Sequence, residues 1–262
     1  MNFFDIHSHL HDEAFESDRD EVIKRMRIAG VKTITVGTHL ESSRGAIALA
    51  SKEPDVWATV GLHPTDTDES WNEREYGLLA EHKKVVAIGE CGLDYFRQND
   101  IQKRKIQKNK FIKQIELSLN VGKPLMIHSR PSEGTVDAYE DILDILKNDF
   151  ASYKEKIRGN VHFFVGDENA ATQFMELGFT LSFTGVITFT KAYDEIIKFL
   201  PLEYILSETD CPYVTPAPYR GQRNEPPFVP LVVDALARIK EIPAEKIAEA
   251  LNTNVNRIFG IK

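Results

Sequence analysis

The chain reads as an α/β protein, a single (β/α)8 TIM barrel with a metal site at the C-terminal rim of its strands. Two observations predict it. Short apolar, β-branched segments alternate with stretches of helical spacing, the pattern of parallel βαβ units. Residue types that bind metals (His7, His9, Glu90, His128, His162 and Asp210) recur at the downstream ends of those strands. Scattered from one end of the chain to the other, they converge only if the strands close, and parallel α/β barrels build their sites at that rim.

The predicted strands end near His7, Gly37, Gly61, Glu90, His128, Phe163, Phe183 and Glu208. Helical spacing separates them, as in Val22, Ile23, Met26 and Ala29 and later in Phe111, Ile115 and Leu119. After the eighth strand, the stretch from Asp210 to Pro230 is rich in proline and reads as a long loop over the rim, where such loops carry function. A last helix starts near Pro243, since proline suits a first turn. Residues 1–262 are expected to form one barrel domain. A doubly wound open sheet is the alternative, but it would divide the candidate ligands along a crevice.

With 262 residues, 42% of them hydrophobic, the chain suffices for such a core. No apolar run approaches the roughly 20 residues that span a membrane. The start carries Asp5 within its apolar stretch and no basic region, unlike a signal peptide, and Cys91 and Cys211 are too few for a disulfide framework. A cytoplasmic setting is the expectation, with no membrane and no obligate protein partner. The net charge of −8 argues against a broad basic face that coats nucleic acid, though not against a nuclease with local positive charge. The densest basic run, Lys103 to Lys113, reads as a solvated helix face.

His7 and His9 are two apart and so share a strand face, with Asp5 one step deeper on that face, placed to accept an imidazole N–H. Glu90 lies at a strand-to-loop turn, His128 and His162 emerge from apolar strands, and Glu208 precedes Asp210 by two. Taken singly, each is more often a buried or rim residue with ordinary hydrogen bonds. Their coincidence at one end of strands 1, 4, 5, 6 and 8 is what points to a metal centre. Four imidazoles and two carboxylates exceed the three protein ligands of a usual catalytic zinc, so two ions bridged by one carboxylate use the set better.

Six stretches carry a resemblance: Asp5-Ile-His-Ser-His-Leu10, Gly61-Leu-His-Pro64, Gly89-Glu-Cys-Gly-Leu-Asp-Tyr95, Ile127-His-Ser-Arg130, Glu208-Thr-Asp-Cys-Pro212 and Arg220-Gly-Gln-Arg-Asn-Glu-Pro226. In this order they resemble the TatD family of metal-dependent deoxyribonucleases, within the amidohydrolase-like barrels. The resemblance implies one ion held by His7, His9, Glu90 and Asp210, and another by Glu90, His128 and His162. It implies that Asp210 takes the proton of the attacking water and that His63 lies near the substrate phosphate. Arg130, Arg220, Arg223 and Asn224 would contact phosphate or nucleotide. The chain departs from the family's usual pattern at Val165, where a hydroxyl is common, and at Pro131, where an acid is common.

The expected activity is hydrolysis of phosphodiesters in DNA, from a 3′ end, with two divalent ions (Zn, Mn or Mg). Imidazole ligation suits zinc or manganese, whereas the resemblance points to magnesium. One alternative is an ester or amide hydrolase, such as one that removes a D-amino acid from tRNA. A more distant one is a metal-stabilised binding module without turnover.

Overall fold

The computed structural model describes residues 1–96, 98 and 100–261. Eight parallel strands follow one another in a single sheet in chain order. They are β1 (Phe3–Ser8), β2 (Val31–Val36), β3 (Val56–Val60), β4 (Val85–Asp94), β5 (Leu125–Arg130), β6 (Gly159–Val161), β7 (Phe179–Phe183) and β8 (Ile205–Ser207). Helices α1 (Arg19–Ile28), α2 (Leu40–Lys52), α3 (Glu73–Ala80), α4 (Ile101–Val121), α5 (Asp137–Asp144), α6 (Glu168–Glu176), α7 (Asp194–Phe199) and α8 (Val229–Lys240) alternate with them, and α9 (Ala244–Phe259) follows.

The sheet closes just past the ends of β1 and β8. A parallel bridge pairs Ser8 with Cys211. Asp210 N donates to His7 O at 2.8 Å and His9 N to Cys211 O at 2.8 Å. This excludes the open sheet: the fold is a (β/α)8 TIM barrel. No helix among the described residues is long and apolar enough to cross a membrane.

Local chemistry sets the elements. The Asp100 side chain caps α4 by accepting from Gln102 N and Lys103 N, and Gly122, at φ 67°, ends it in the left-handed conformation that glycine adopts without cost. Asn72 and Asp167 cap α3 and α6 in the same way. One apolar cluster joins strand residues such as Val56, Leu125 and Ile127 to helix residues such as Phe111, Ile115 and Leu236. A second joins Ile6, Ile34, Ala87 and Leu206 to Val255, Ile258 and Phe259 of α9.

Three strand boundaries differ from expectation, and one is that of β5, which runs past His128 to Arg130. β4 continues past Glu90 to Asp94, because Cys91, Gly92 and Asp94 pair with Ile127, His128 and Arg130 of β5. β6 stops at Val161, since Phe163 turns out of the ladder with φ 46°.

Candidate metal centre

Strand β4 bulges where it meets the site. Between Ile88 and Cys91 the register with β5 shifts, and Gly89 has φ 149°. A Cβ at Gly89 would collide with the Met126 carbonyl, so only glycine lets the two backbones approach here. Bulges re-aim side chains beside functional sites. Here the result is a buried carboxylate directed into the mouth of the barrel.

Glu90 uses its two oxygens on different neighbours. Its Oε2 lies 3.4 Å from His7 Nε2 and 3.8 Å from His9 Nε2. Its Oε1 lies 2.8 Å from His128 Nδ1, 3.1 Å from His162 Nε2 and 3.3 Å from His63 Nε2. Asp210 Oδ1 joins the first group, 3.7 Å from His7 Nε2 and 3.6 Å from His9 Nε2, which are themselves 3.3 Å apart. In the second group His162 Nε2 is 3.4 Å from His128 Nδ1. The groups adjoin, for the His7 and His162 rings stack at 3.9 Å.

These separations fit metal ligation. Bonds of about 2.0–2.2 Å to one ion place neighbouring donors roughly 2.8–3.6 Å apart, close to what both groups show. The residues therefore suit divalent cations. His7 Nδ1 is buried without a hydrogen-bond partner, as a ring oriented through its other nitrogen can be.

The electrostatics agree. Burial opposes charge on every group, yet the surrounding imidazoles hold the Glu90 carboxyl well below its usual range. Burial likewise opposes ionisation of Asp210, but its hydrogen bond with His9 and the nearby histidines keep its value low. His9, His128 and His162 rise despite burial, His162 furthest, because carboxylates face them. His7 falls, through burial and the proximity of His162. The cluster favours positive charge at its centre, from protons or from a cation that displaces them.

The supporting groups differ in part from expectation. Glu208 Oε1 lies 3.4 Å from His162 Nδ1, while Glu208 accepts from Phe163 N at 2.6 Å and from Ser182 Oγ at 2.7 Å. Asp5 takes no imidazole proton. It accepts from His7 N, Thr209 N and Thr209 Oγ1 at 3.2, 2.8 and 2.6 Å, and so fixes the turn that carries Asp210. Burial raises the Asp5 carboxyl to about 8. Asp94, to which sequence reasoning gave no role, accepts from His128 Nε2 at 3.0 Å and turns Nδ1 inward. Its signal was available in the quoted Gly-Leu-Asp-Tyr stretch.

A cavity of roughly 830 Å³ opens above the centre, lined by His9, Glu90, His128, His162 and Asp210 and, further out, by Arg130, Val165 and Tyr213. Arg130 is exposed, with its guanidinium 4.0 Å from the Phe96 ring. Arg220, also exposed, stacks on Phe189 at 3.7 Å and is not part of that lining. Two of the expected substrate contacts have structural employment instead. Arg223 binds Asp18 at 2.9 and 2.7 Å and Glu225 at 3.0 Å. Asn224 is fully buried and donates to Thr209 O and Tyr213 O at 2.8 and 2.6 Å, bracing the rim loop from within.

A closed parallel barrel with clustered imidazoles and acids at its rim defines a class, the metal-dependent barrel hydrolases. The comparisons narrow it: residues 4–260 match the family model for TatD related DNase, and the chain belongs to that family. It is 38% identical to the uncharacterized metal-dependent hydrolase YabD of Bacillus subtilis over 98% of this chain and 99% of that one. With the uncharacterized metal-dependent hydrolase YcfH of Escherichia coli K12 the identity is 32%, over 100% and 97%. The crystal structure of YjjV, a TatD homologue from Escherichia coli K12, superposes with a TM-score of 0.88 at 29% identity, over 99% of this chain and 98% of that one. The chain is thus a metal-dependent hydrolase of the TatD family.

Proposed function

We propose that this hydrolase cleaves phosphodiester bonds in DNA, releasing nucleotides from a 3′ end, with two divalent cations at the rim. The observation that carries the proposal is the divided carboxylate of Glu90, whose two oxygens face two separate groups of donors. His7, His9, Glu90 and Asp210 would hold one cation, and Glu90, His128 and His162 the other. Divalent cations there would supply Lewis-acid activation of water and neutralise charge on the phosphoryl oxygens.

The chain's own residues do the rest. Asp210 stays ionised at neutral pH, since its hydrogen bond with His9 and the neighbouring histidines outweigh its burial, and accepts the proton of the attacking water. The Thr209–Asp5 hydrogen bonds keep that carboxylate aimed into the cavity. Arg130, on the cavity wall, offers a planar fork to phosphate oxygens. The mixed nitrogen and oxygen donors favour zinc or manganese over magnesium in at least one position, which elemental analysis of the purified protein checks.

The test is a panel of single-stranded DNA, double-stranded DNA, RNA and D-aminoacyl-tRNA, each with Zn, Mn and Mg. Cleavage of DNA is expected, and Glu90→Gln and Asp210→Asn should each reduce it by at least about a hundredfold. Full activity in either variant, or turnover of aminoacyl-tRNA alone, would overturn the proposal.

A further inference from the structure

We propose that the side of the mouth formed by the loops after β6, β7 and β8 is a nucleobase subsite, with the ring of Tyr213 as the face on which a base of the substrate stacks. The inference rests on the reading of a nucleic-acid strand as substrate. Its basis is the unequal division of residue types around the rim.

Because the strands follow one another around the barrel in chain order, the loops that line the cavity fall into arcs. Those after β1, β2 and β3 bring polar and acidic residues, including Asp12, His39 and Asp66. Phe163, Val165, Tyr193 and Tyr213, from the loops after β6, β7 and β8, form another arc that carries no charge. Arg130, on β5 beside β6, is the one Lys or Arg of the lining among the described residues. A phosphate at the metal centre is thus flanked by the Arg130 cation, while the carboxylates of the first arc repel an anionic backbone. The uncharged arc is left for the base, the flat apolar part of a nucleotide.

Tyr213 suits that role. It is 60% exposed, although its ring stands 6.3 Å from that of His9, at 68°. Val165, on the same arc, is 36% exposed. The tyrosine is held in place by its backbone, whose N donates to Asp210 O at 2.9 Å and whose O accepts from Asn224 Nδ2 at 2.6 Å. A Cβ at Gly185 would meet Val214 O at 2.6 Å, so the loop packs directly on the backbone behind it. A ring fixed before binding loses little entropy when a base covers it.

The experiment compares a single-stranded oligodeoxynucleotide with the same strand made abasic at its last two nucleotides, which flank the first scissile phosphate. The enzymes are metal-loaded wild type, Tyr213→Ala and Tyr213→Phe, and thermal unfolding checks that each variant is folded. Wild type should cleave both strands, the abasic one with a kcat/KM at least about fivefold lower. Tyr213→Ala should raise KM for the ordinary strand by at least about fivefold and leave the abasic strand unaffected. Tyr213→Phe, which keeps the stacking face, should match wild type. Wild type indifferent to the missing bases, or Tyr213→Ala that changes both strands equally or neither, would overturn the inference and leave the phosphodiesterase reading standing. Wild type that cleaves neither strand would overturn both.

Discussion

Two imidazoles in the centre have a hydrogen-bond partner behind them, Val36 O at His9 Nδ1 and Asp94 at His128 Nε2, and that partner sets which nitrogen looks inward. Asp94 on His128 is the clearest case, and Asp94→Asn should weaken one cation by about 10–100-fold while leaving the fold intact. Calorimetric titration against wild type checks this; equal affinities would show that Asp94 is dispensable. The raised values of His9, His128 and His162, each lifted by facing carboxylates against the effect of burial, set a sign for pH. These rings retain protons to higher pH than free imidazole, and a cation must displace them, so affinity should climb from about pH 6 to about pH 8. A flat profile over that range would contradict the assignment. The six residues singled out from sequence were legible because a histidine or acid at the end of an apolar strand is visible in the string itself. Asp94 stands in a stretch that already carried the resemblance, but its contact with His128 was not legible, since it depends on how the bulged β4 lies against β5.

The basic run on α4 illustrates how charge in a sequence misleads about surfaces. Arg104 pairs with Asp137 at 3.0 Å, Lys108 with Asp141 at 2.7 Å, and Lys110 donates to the carbonyls of Asp66 and Thr67 at 2.8 and 2.9 Å. These cations fasten neighbouring loops and helices, and only part of the run is a solvated face. The rim loop from Asp210 to Pro230 is similarly braced. Asn224→Ala removes both donors from buried carbonyls and should cost about 1–3 kcal/mol of stability. Thermal unfolding measures it, whereas a residue that only touched substrate would alter KM and leave the melting temperature alone. The strands and the loop could be read from local pattern. The partners of Arg223 and Asn224 could not, because the Asp18 and Thr209 contacts join separate segments that local periodicity does not relate.

Closure of the barrel explains why the donors meet at all. The open-sheet alternative was excluded in sequence only by the argument that ligands should converge, and the Ser8–Cys211 bridge supplies the geometry. Donors from β1, β4 and β5 and from the loops after β6 and β8 surround the centre, so cations would link most of the rim. Chelation should therefore lower the melting temperature, and adding Zn back should restore it. A ligand at 100 times its Kd contributes about 2.7 kcal/mol if it binds only the folded chain. An unchanged melting temperature after verified metal removal would argue against ligation that spans strands.

The seam at Ser8 and Cys211 sets an order of events during synthesis. His7 and His9 leave the ribosome early and Asp210 late, so a nascent chain holds an incomplete claw until its final strand docks. On the proposed ligand set, the first cation position is complete only once Asp210 has been synthesised, and a chain truncated before it should bind that cation more weakly.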